Sequence, residues 1–357
     1  MLEIMTVLGI ESSCDETAVA VVRDGKKLLS NVVSSSMDLH AKYGGVIPEI
    51  AARSHIEAII PVITQALSDA GCTWDDIDAI AVTYGAGLLG SLLIGVLAAR
   101  TLAIVKKKPL YAVNHVEGHI YVNFLTETNL SGYALPSKQP EFPMLGVIVS
   151  GGHSQLVLWR DHFDYTLLGQ TQDDAIGEAF DKVAKIIGLP YPGGVNVARK
   201  ALEGNDRAFH LPKARMQGKY DFSFSGLKTA VLRLAQEQVG KDYSLPSTAL
   251  PGLLNEAQKA DIAASFQRVA CETIVDKVIT ACEEFQPKTV VIGGGVAANT
   301  ELRRQLAERL PFPIEYTDLK LCGDNGAMIA TLGCFKASLG AKPADPFTLE
   351  VAPNLSM

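Results

Sequence analysis

No two cysteines in this chain form a C-x-x-C pair, and the six present (Cys14, Cys72, Cys271, Cys282, Cys322, Cys334) follow no regular framework. That argues against a disulfide scaffold and reads as reduced thiols in a cytoplasmic protein. Positive charge is also scarce: the formal net charge is −7 over 357 residues. Phosphate contacts need clustered Lys and Arg, so this balance argues against tight unaided binding to nucleic acid. Three local clusters, "VKKKP" at 105–109, "PKAR" at 212–215 and "RR" at 303–304, keep a nucleic-acid substrate open, although runs of this size are more often solvated surface. No apolar run approaches the roughly 20 residues that span a bilayer. The opening "MLEIMTVLGIESS" is too acidic and too short in apolar residues for a signal peptide. The expectation is a soluble, cytoplasmic protein with no membrane partner.

What is present is ordinary globular material. With 48% hydrophobic and 20% charged residues over this length, two domains or two large lobes are expected. The chain opens as a hairpin, "MTVLGIESS" then "AVAVVRDG". The layout returns: "LGIESSCDETAVAVV" (8–22) and "LGVIVSGGHSQLVLW" (145–159) align without gaps at an offset of 137 residues (145 − 8). Two like hairpins predict a duplicated α/β domain with a ligand cleft between the copies. We place an N-terminal lobe at 1–140 and a C-terminal lobe at 141–357, with a helical insertion around 173–260. The joint falls in "YALPSKQPEFP" (133–143).

"IPEIAARSHIEAIIPVITQALSDAG" is helical, with Pro48 in its first turn and Gly71 as a stop. "LLGSLLIGVLAARTLAIVKKK" is apolar on most sides and predicts a buried helix, with Gly90 and Gly95 allowing close packing.

The chemistry begins with "VNHVEGHIYVNF" (113–124). Residues four apart share a helix face, so His115 and His119 can converge on one cation. From spacing alone, a pair of packing histidines is an equally good reading. A zinc protease is excluded by register. It needs glutamate directly after the first histidine, whereas Glu117 lies two positions on, about 200° round the helix axis. Asp324, in "LCGDNGAMIAT" (321–331), offers a third ligand, though by composition alone Asp-Asn-Gly is more often a plain turn and cap signature. A two-His-one-carboxylate set with open positions suits Fe(II), and also Zn or Mn.

The glycine turns "VIVSGGHSQ" (147–155) and "VVIGGGVAAN" (290–299) each follow a strand and can bring backbone NH groups to a phosphate. Together with the acidic turn "ESSCDET", they resemble the duplicated actin/hexokinase/Hsp70 (ASKHA) fold. Asp174, Glu178, Asp181 and Lys185 fall on one polar helix face, by default a solvated one. "SFSGLKT" reads as an N-capped helix start and lacks the upstream glycine of a P-loop.

In order, "GIESSCDET", "YGGVIPEIAARSH", "NHVEGH", "VSGGHSQL", "DDAIGEAFDKVAKIIGLPYPGG", "DFSFSGLKT", "GGGVAAN" and "CGDNGAMIA" resemble the successive motifs of the TsaD (Gcp, Kae-one-like) family. These are tRNA adenosine threonylcarbamoyltransferases, once described as O-sialoglycoprotein endopeptidases. The resemblance implies that His115, His119 and Asp324 hold one divalent metal per subunit, Fe(II) first, with Zn or Mn as alternatives. It implies that Ile148, Val149, Ser150, Gly151 and Gly152, with Asp181, Gly194 and Asn299, contact threonylcarbamoyl-adenylate. Asp15 and Glu16 match the acidic turn needed for activity, and His153 the histidine of the second hairpin. Two departures are visible: Asn114-His115 replaces the family's His-His, and Gly85-Ala86-Gly87 replaces Gly-Pro-Gly.

The implied reaction carries the threonylcarbamoyl group to the exocyclic amine of the adenosine 3′ of the anticodon, in tRNAs reading codons that begin with A. Asp15 or Glu16 serves as base or as a further metal ligand. Implied partners are tRNA, a degenerate paralogue (TsaB-like) and, in bacteria, a small ATPase (TsaE-like). The helices near 48–70 and 88–105 are candidate interfaces, with core packing the better reading for 88–105. The competing readings are an actin-fold small-molecule kinase or ATPase, a metallopeptidase, and a scaffold.

Overall fold

The structure, a computed structural model, describes residues 5–312, 314 and 316–357, so the first four residues of the opening run lie outside it. The chain divides into two compact units, Met1–Pro140 with Glu315–Met357, and Glu141–Ile314.

The first unit begins with β1 (Thr6–Glu11), β2 (Glu16–Arg23) and β3 (Lys27–Ser35), followed by α1 (Met37–Ala41) and α2 (Pro48–Ala70). Next come β4 (Ala79–Gly85), α3 (Leu89–Lys106), β5 (Leu110–Asn114), α4 (His115–Tyr121) and β6 (Glu127–Thr128). Its sheet runs β5-β4-β1-β2-β3-β6. The second unit holds β7 (Met144–Val149), β8 (Ser154–Asp161), β9 (Asp164–Gln170), α5 (Ile176–Ile187), α6 (Gly193–Ala201) and α7 (Ser225–Gln238). It continues through α8 (Leu250–Leu253), α9 (Glu256–Phe285), β10 (Thr289–Gly293) and α10 (Thr300–Arg309), around a sheet of order β10-β7-β8-β9. The last helix, α11 (Gly326–Ser338), belongs to the first unit.

The internal repeat is exact in pairing. Leu8 faces Val21 and Gly9 faces Ala20 across β1–β2; Leu145 faces Leu158 and Gly146 faces Val157 across β7–β8. Each pair is its counterpart shifted by the same 137 positions. Each first strand also takes a parallel neighbour, β4 beside β1 and β10 beside β7. This is the duplicated ASKHA architecture expected from the hairpins.

Assigning the whole of 141–357 to the second lobe needs correction, because α11 packs on β1, β2 and β4. Side chains alternate across a strand. Leu8 and Ile10 therefore join the core formed with α2 and α3, while Gly9 faces α11. A Cβ on Gly9 would lie 2.2 Å from the Ala330 backbone N, and one on Gly326 would lie 2.3 Å from Ala20 N. The helix rests directly on the strands, and glycine alone permits that approach. This contact, absent from any local pattern, brings Asp324 to the first hairpin.

The buried-helix expectation for α3 is also corrected. It is 18 residues long and apolar enough to cross a membrane by length and composition, yet only a third of it is buried. Leu92, Gly95, Val96, Ala99 and Ala103 face inward, and Gly95 leaves room where a Cβ would meet Ser12 Oγ at 2.2 Å. Leu89, Leu93 and Leu97, one turn apart, are exposed, as are Ile56 and Ile60 on α2. The reason is geometric. A helix on one face of a sheet buries one stripe, and no described element covers the other. Arg100 pins α3 to the C-terminal segment by donating to the carbonyls of Pro346, Phe347 and Leu349.

In the second unit, Phe180 of α5 meets Phe266 of α9 edge to face, at 4.9 Å between centroids. The helix predicted at "SFSGLKT" starts at Ser225, but its own residues do not cap it. Asp173 does so from outside, accepting from Phe224 N at 2.9 Å and Ser225 N at 3.3 Å.

Candidate functional site

Asn114 ends β5 and caps α4, accepting from Val116 N at 2.8 Å. The helix therefore starts at His115 and sets His119 one turn on, with ring centroids 4.7 Å apart. Asp324 sits just ahead of Asn325, which caps α11 through Met328 N at 3.0 Å. Its Oδ1 lies 3.3 Å from His119 Nε2 and 3.6 Å from His115 Nε2. One ligand atom from each of the three lies within 4.8 Å of the others.

The surroundings tell these residues from an ordinary polar cluster. His115 Nδ1 faces Glu11 Oε2 at 3.2 Å and Ser13 Oγ at 3.1 Å. An ionised carboxylate only accepts, so Nδ1 carries a proton and the ring turns its other nitrogen, Nε2, toward Asp324. This is the outer-shell arrangement that orients metal-binding histidines. His119 is 1% exposed, and neither of its ring nitrogens has a hydrogen-bond partner among the described residues. A buried imidazole without hydrogen-bond partners costs stability, and a cation at Nε2 would offset the part of that cost that falls on Nε2. The donor set fits one divalent metal ion. Sequence reasoning missed Glu11 and Ser13; a buried carboxylate inside the β1 run "TVLGIE" was the available signal.

Charge supports the same reading. Burial lowers the His115 pKa, but the carboxylates of Asp324 and Glu11 outweigh it and push it up to about 9. Glu16 is pushed up to about 9 by burial and then by Asp324 and Asp15; its carboxyl also accepts from Ser35 Oγ at 3.1 Å. Four carboxyl groups, Glu11, Asp15, Glu16 and Asp324, crowd a region short of positive charge, and the proton on His115 stands where a cation is wanted.

This has a measurable consequence. A metal held by these residues would displace the His115 proton at neutral pH, so its affinity would rise with pH and level off near 9. Calorimetric titration in two buffers of different ionisation enthalpy reads the proton released. For the metal-free protein the sign is opposite. A histidine pKa raised above its unfolded value of 6.5 stabilises below 6.5, and that contribution is lost as pH rises through about 9. Metal uptake without proton release would contradict both expectations.

The glycine turns form a second feature, within the second unit. A cavity of 320 Å³ is lined by Gly151, Asp181, Gly194 and Asn299, four of the eight residues expected at the substrate. Cβ atoms built on Gly151, Gly194 and Gly295 meet nothing, so the backbone there faces open space. Asp181 Oδ1 accepts from Gly193 N at 2.7 Å; burial raises its pKa, partly offset by the NH groups of Gly193 and Gly194. Of the residues expected on one polar helix face, Asp181 lines the cavity, while Asp174 precedes α5 and pairs with Lys182 and Lys228.

The other expected contacts are placed differently. Ile148 and Val149 are fully buried in β7. Ser150 closes the hairpin with His153, accepting at Oγ from His153 N at 3.1 Å. Gly152 is exposed and does not line the cavity. The Asn299 side chain caps α10 through Leu302 N at 3.0 Å and donates to Gln267 Oε1 at 2.9 Å. Phe180, Val195 and Val296 supply apolar walls that sequence reasoning missed, because their identity is that of ordinary core residues.

Residues 27–331 match the family described as TsaD: tRNA N6-adenosine threonylcarbamoyltransferase. A relative of that name from Thermomicrobium roseum is 48% identical, over 95% of this chain and 93% of its own. Another, from Symbiobacterium thermophilum, is 47% identical over 98% and 96%. Among solved structures, full-length HypF in its phosphate- and nucleotide-bound form is similar in fold at a TM-score of 0.58 and 14% identity. The match covers 95% of this chain and 56% of that one.

Proposed function

The chain belongs to the TsaD family of tRNA N6-adenosine threonylcarbamoyltransferases, and from that premise we infer how its own residues carry out the transfer. The enzyme modifies adenosine in tRNA. The donor is threonylcarbamoyl-adenylate, and the acceptor is the adenosine 3′ of the anticodon in tRNAs reading codons that begin with A. The N6 amine forms a bond to the carbamoyl carbon, the bond from that carbon to the phosphate oxygen breaks, AMP leaves, and the amine loses a proton.

The observation that carries this reading is the pairing of His119, buried and without hydrogen-bond partners among the described residues, with a carboxylate-backed His115 and Asp324. A divalent cation held by these three supplies a Lewis acid that a weakly nucleophilic aromatic amine needs. Fe(II) suits the donor set first, with Zn and Mn also compatible. The glycine-walled cavity takes the adenylate. Its open backbone at Gly151, Gly194 and Gly295 admits a ligand against the chain, and its apolar walls suit a planar ring. Asp15 is the acceptor we assign for the proton, since Glu16 is tied to Ser35 and holds its own.

A net charge of −7 is poorly suited to holding tRNA alone. The exposed face of α2 and α3, with Ile56, Ile60, Leu89, Leu93 and Leu97, suits a paralogous partner (TsaB-like), with a small ATPase (TsaE-like) completing the system.

The test is nucleoside mass spectrometry on tRNA incubated with this protein, its paralogue and pre-made threonylcarbamoyl-adenylate. Threonylcarbamoyladenosine is the expected product. Its absence with partner and metal verified would sink the adenylate-dependent reading, and phosphorylation of a small molecule would then be examined.

A further inference from the structure

Three consecutive carbonyls at the β1–β2 turn are held from outside it. Ser13 O accepts from Leu88 N at 2.7 Å. Cys14 O accepts from His55 Nε2 and from Ser91 Oγ, both at 3.0 Å. Asp15 O accepts from Ser36 N at 3.0 Å and Ser36 Oγ at 2.9 Å. Two histidines stand behind these contacts, His55 on α2 and His40 on α1, each 0% exposed, and neither belongs to the metal set.

Donor and acceptor logic settles His40 and the Nε2 proton of His55. A carbonyl only accepts, so His55 Nε2 carries the proton that goes to Cys14 O, and in the neutral ring Nδ1 accepts from Thr17 Oγ1 at 2.8 Å. His40 Nδ1 accepts from Ile47 N at 3.2 Å, which puts its proton on Nε2. From there it donates to Ser36 Oγ at 3.1 Å, whose own proton goes to Asp15 O. Each imidazole is neutral and confined to one tautomer; burial, which lowers the His55 pKa, acts in the same sense. An apolar side chain would fill either space without a polar group to satisfy. What the histidines add is directed hydrogen bonding, and the bonds donated from their Nε2 atoms, directly or through Ser36, converge on the turn that presents Asp15 and Glu16.

We propose that His55 and His40 are positioning residues of the transfer, holding the backbone of the acidic turn through Cys14 O and Asp15 O so that the Asp15 carboxyl is aimed at the reacting amine. This rests on the role given to Asp15 above. Misplacement of a reacting group by about 1 Å can cost roughly a hundredfold in rate, so a loosened turn is read in kcat.

Steady-state kinetics of the reconstituted reaction, with metal content and thermal melting measured on the same samples, test the inference. His55→Leu should lower kcat by roughly tenfold or more with bound metal and the KM for tRNA unchanged. His55→Gln keeps a donor toward Cys14 O and should recover kcat to within about threefold of wild type. Thr17→Val keeps the side-chain shape but removes the hydroxyl that orients the ring, leaving buried Nδ1 unpaired; corrected for its folded fraction, its kcat should fall between them. Wild-type kcat in both His55→Leu and Thr17→Val overturns the proposal. So does a His55→Gln no better than His55→Leu, or a loss that only tracks the folded fraction. Asp15→Asn separates the two levels. If it is inactive while the His55 variants are normal, positioning alone is wrong; if it keeps wild-type kcat, the role of Asp15 fails and takes this inference with it.

Discussion

Asp324→Ala will purify without metal, form threonylcarbamoyladenosine about a hundredfold more slowly or worse, and melt close to metal-free wild type. The first two effects follow from geometry. Asp324 Oδ1 is the atom that both histidines approach, at 3.3 and 3.6 Å, and without it two imidazoles remain. The third follows from charge. Asp324 is the largest charge effect raising the Glu16 pKa after burial, and it acts in the same direction on Cys14. Removing it relieves that repulsion and also gives up its pairing with protonated His115, so the two changes offset one another. Metal analysis and melting curves with and without added ion separate these effects. A ligand that binds only the folded state stabilises it by about 2.7 kcal/mol at a hundred times its Kd, so wild type should gain thermal stability on addition and the variant should not. A variant that retains stoichiometric metal would remove Asp324 from the donor set.

Neighbouring glycines should respond oppositely to the same substitution. Gly295→Val should fold with an unchanged melting point and raise the KM for threonylcarbamoyl-adenylate roughly tenfold or more. A Cβ at 295 meets nothing and the residue lines the cavity, so the new side chain takes ligand space alone. Gly294→Val should fail earlier, in folding. Its φ is +94°, and its Cβ would stand 2.4 Å from Val149 O, a backbone atom of the adjacent strand. The backbone conformation alone costs on the order of 1–3 kcal/mol for a side-chain-bearing residue, before the clash. Melting curves and adenylate kinetics on both variants decide the matter. Normal adenylate kinetics in Gly295→Val would move the substrate away from this cavity.

The contrast between these glycines shows what the motif "IGGGVAAN" could and could not convey. Its composition announces a turn that brings backbone close to something. Whether that something is another strand or a ligand depends on what lies across from each Cα, and no neighbour in sequence carries that information. The α3 helix teaches the same point from the opposite side. An apolar stretch with little amphipathic contrast reads as buried, yet Leu89, Leu93 and Leu97 are exposed, because burial is decided by which elements the sheet has room to carry.

By itself the sequence determined the features set by short-range stereochemistry and by repetition. These are the two hairpins and their common register, the Pro48 start and Gly71 stop of α2, the one-turn spacing of His115 and His119, and the family to which the motifs belong. Tertiary structure alone decided the rest. It returned Glu315–Met357 to the first unit through a glycine-thin contact between α11 and β1. It set Glu11 and Ser13 behind His115. It also linked His55 and His40 to an acidic turn 41 residues away from His55 in one hydrogen bond. Hydrogen bonds and carboxylate fields act over a few ångströms of space whatever the distance along the chain. The members of a candidate metal site and its supports are therefore legible as single residues in a sequence, and become an arrangement only when the fold brings them together.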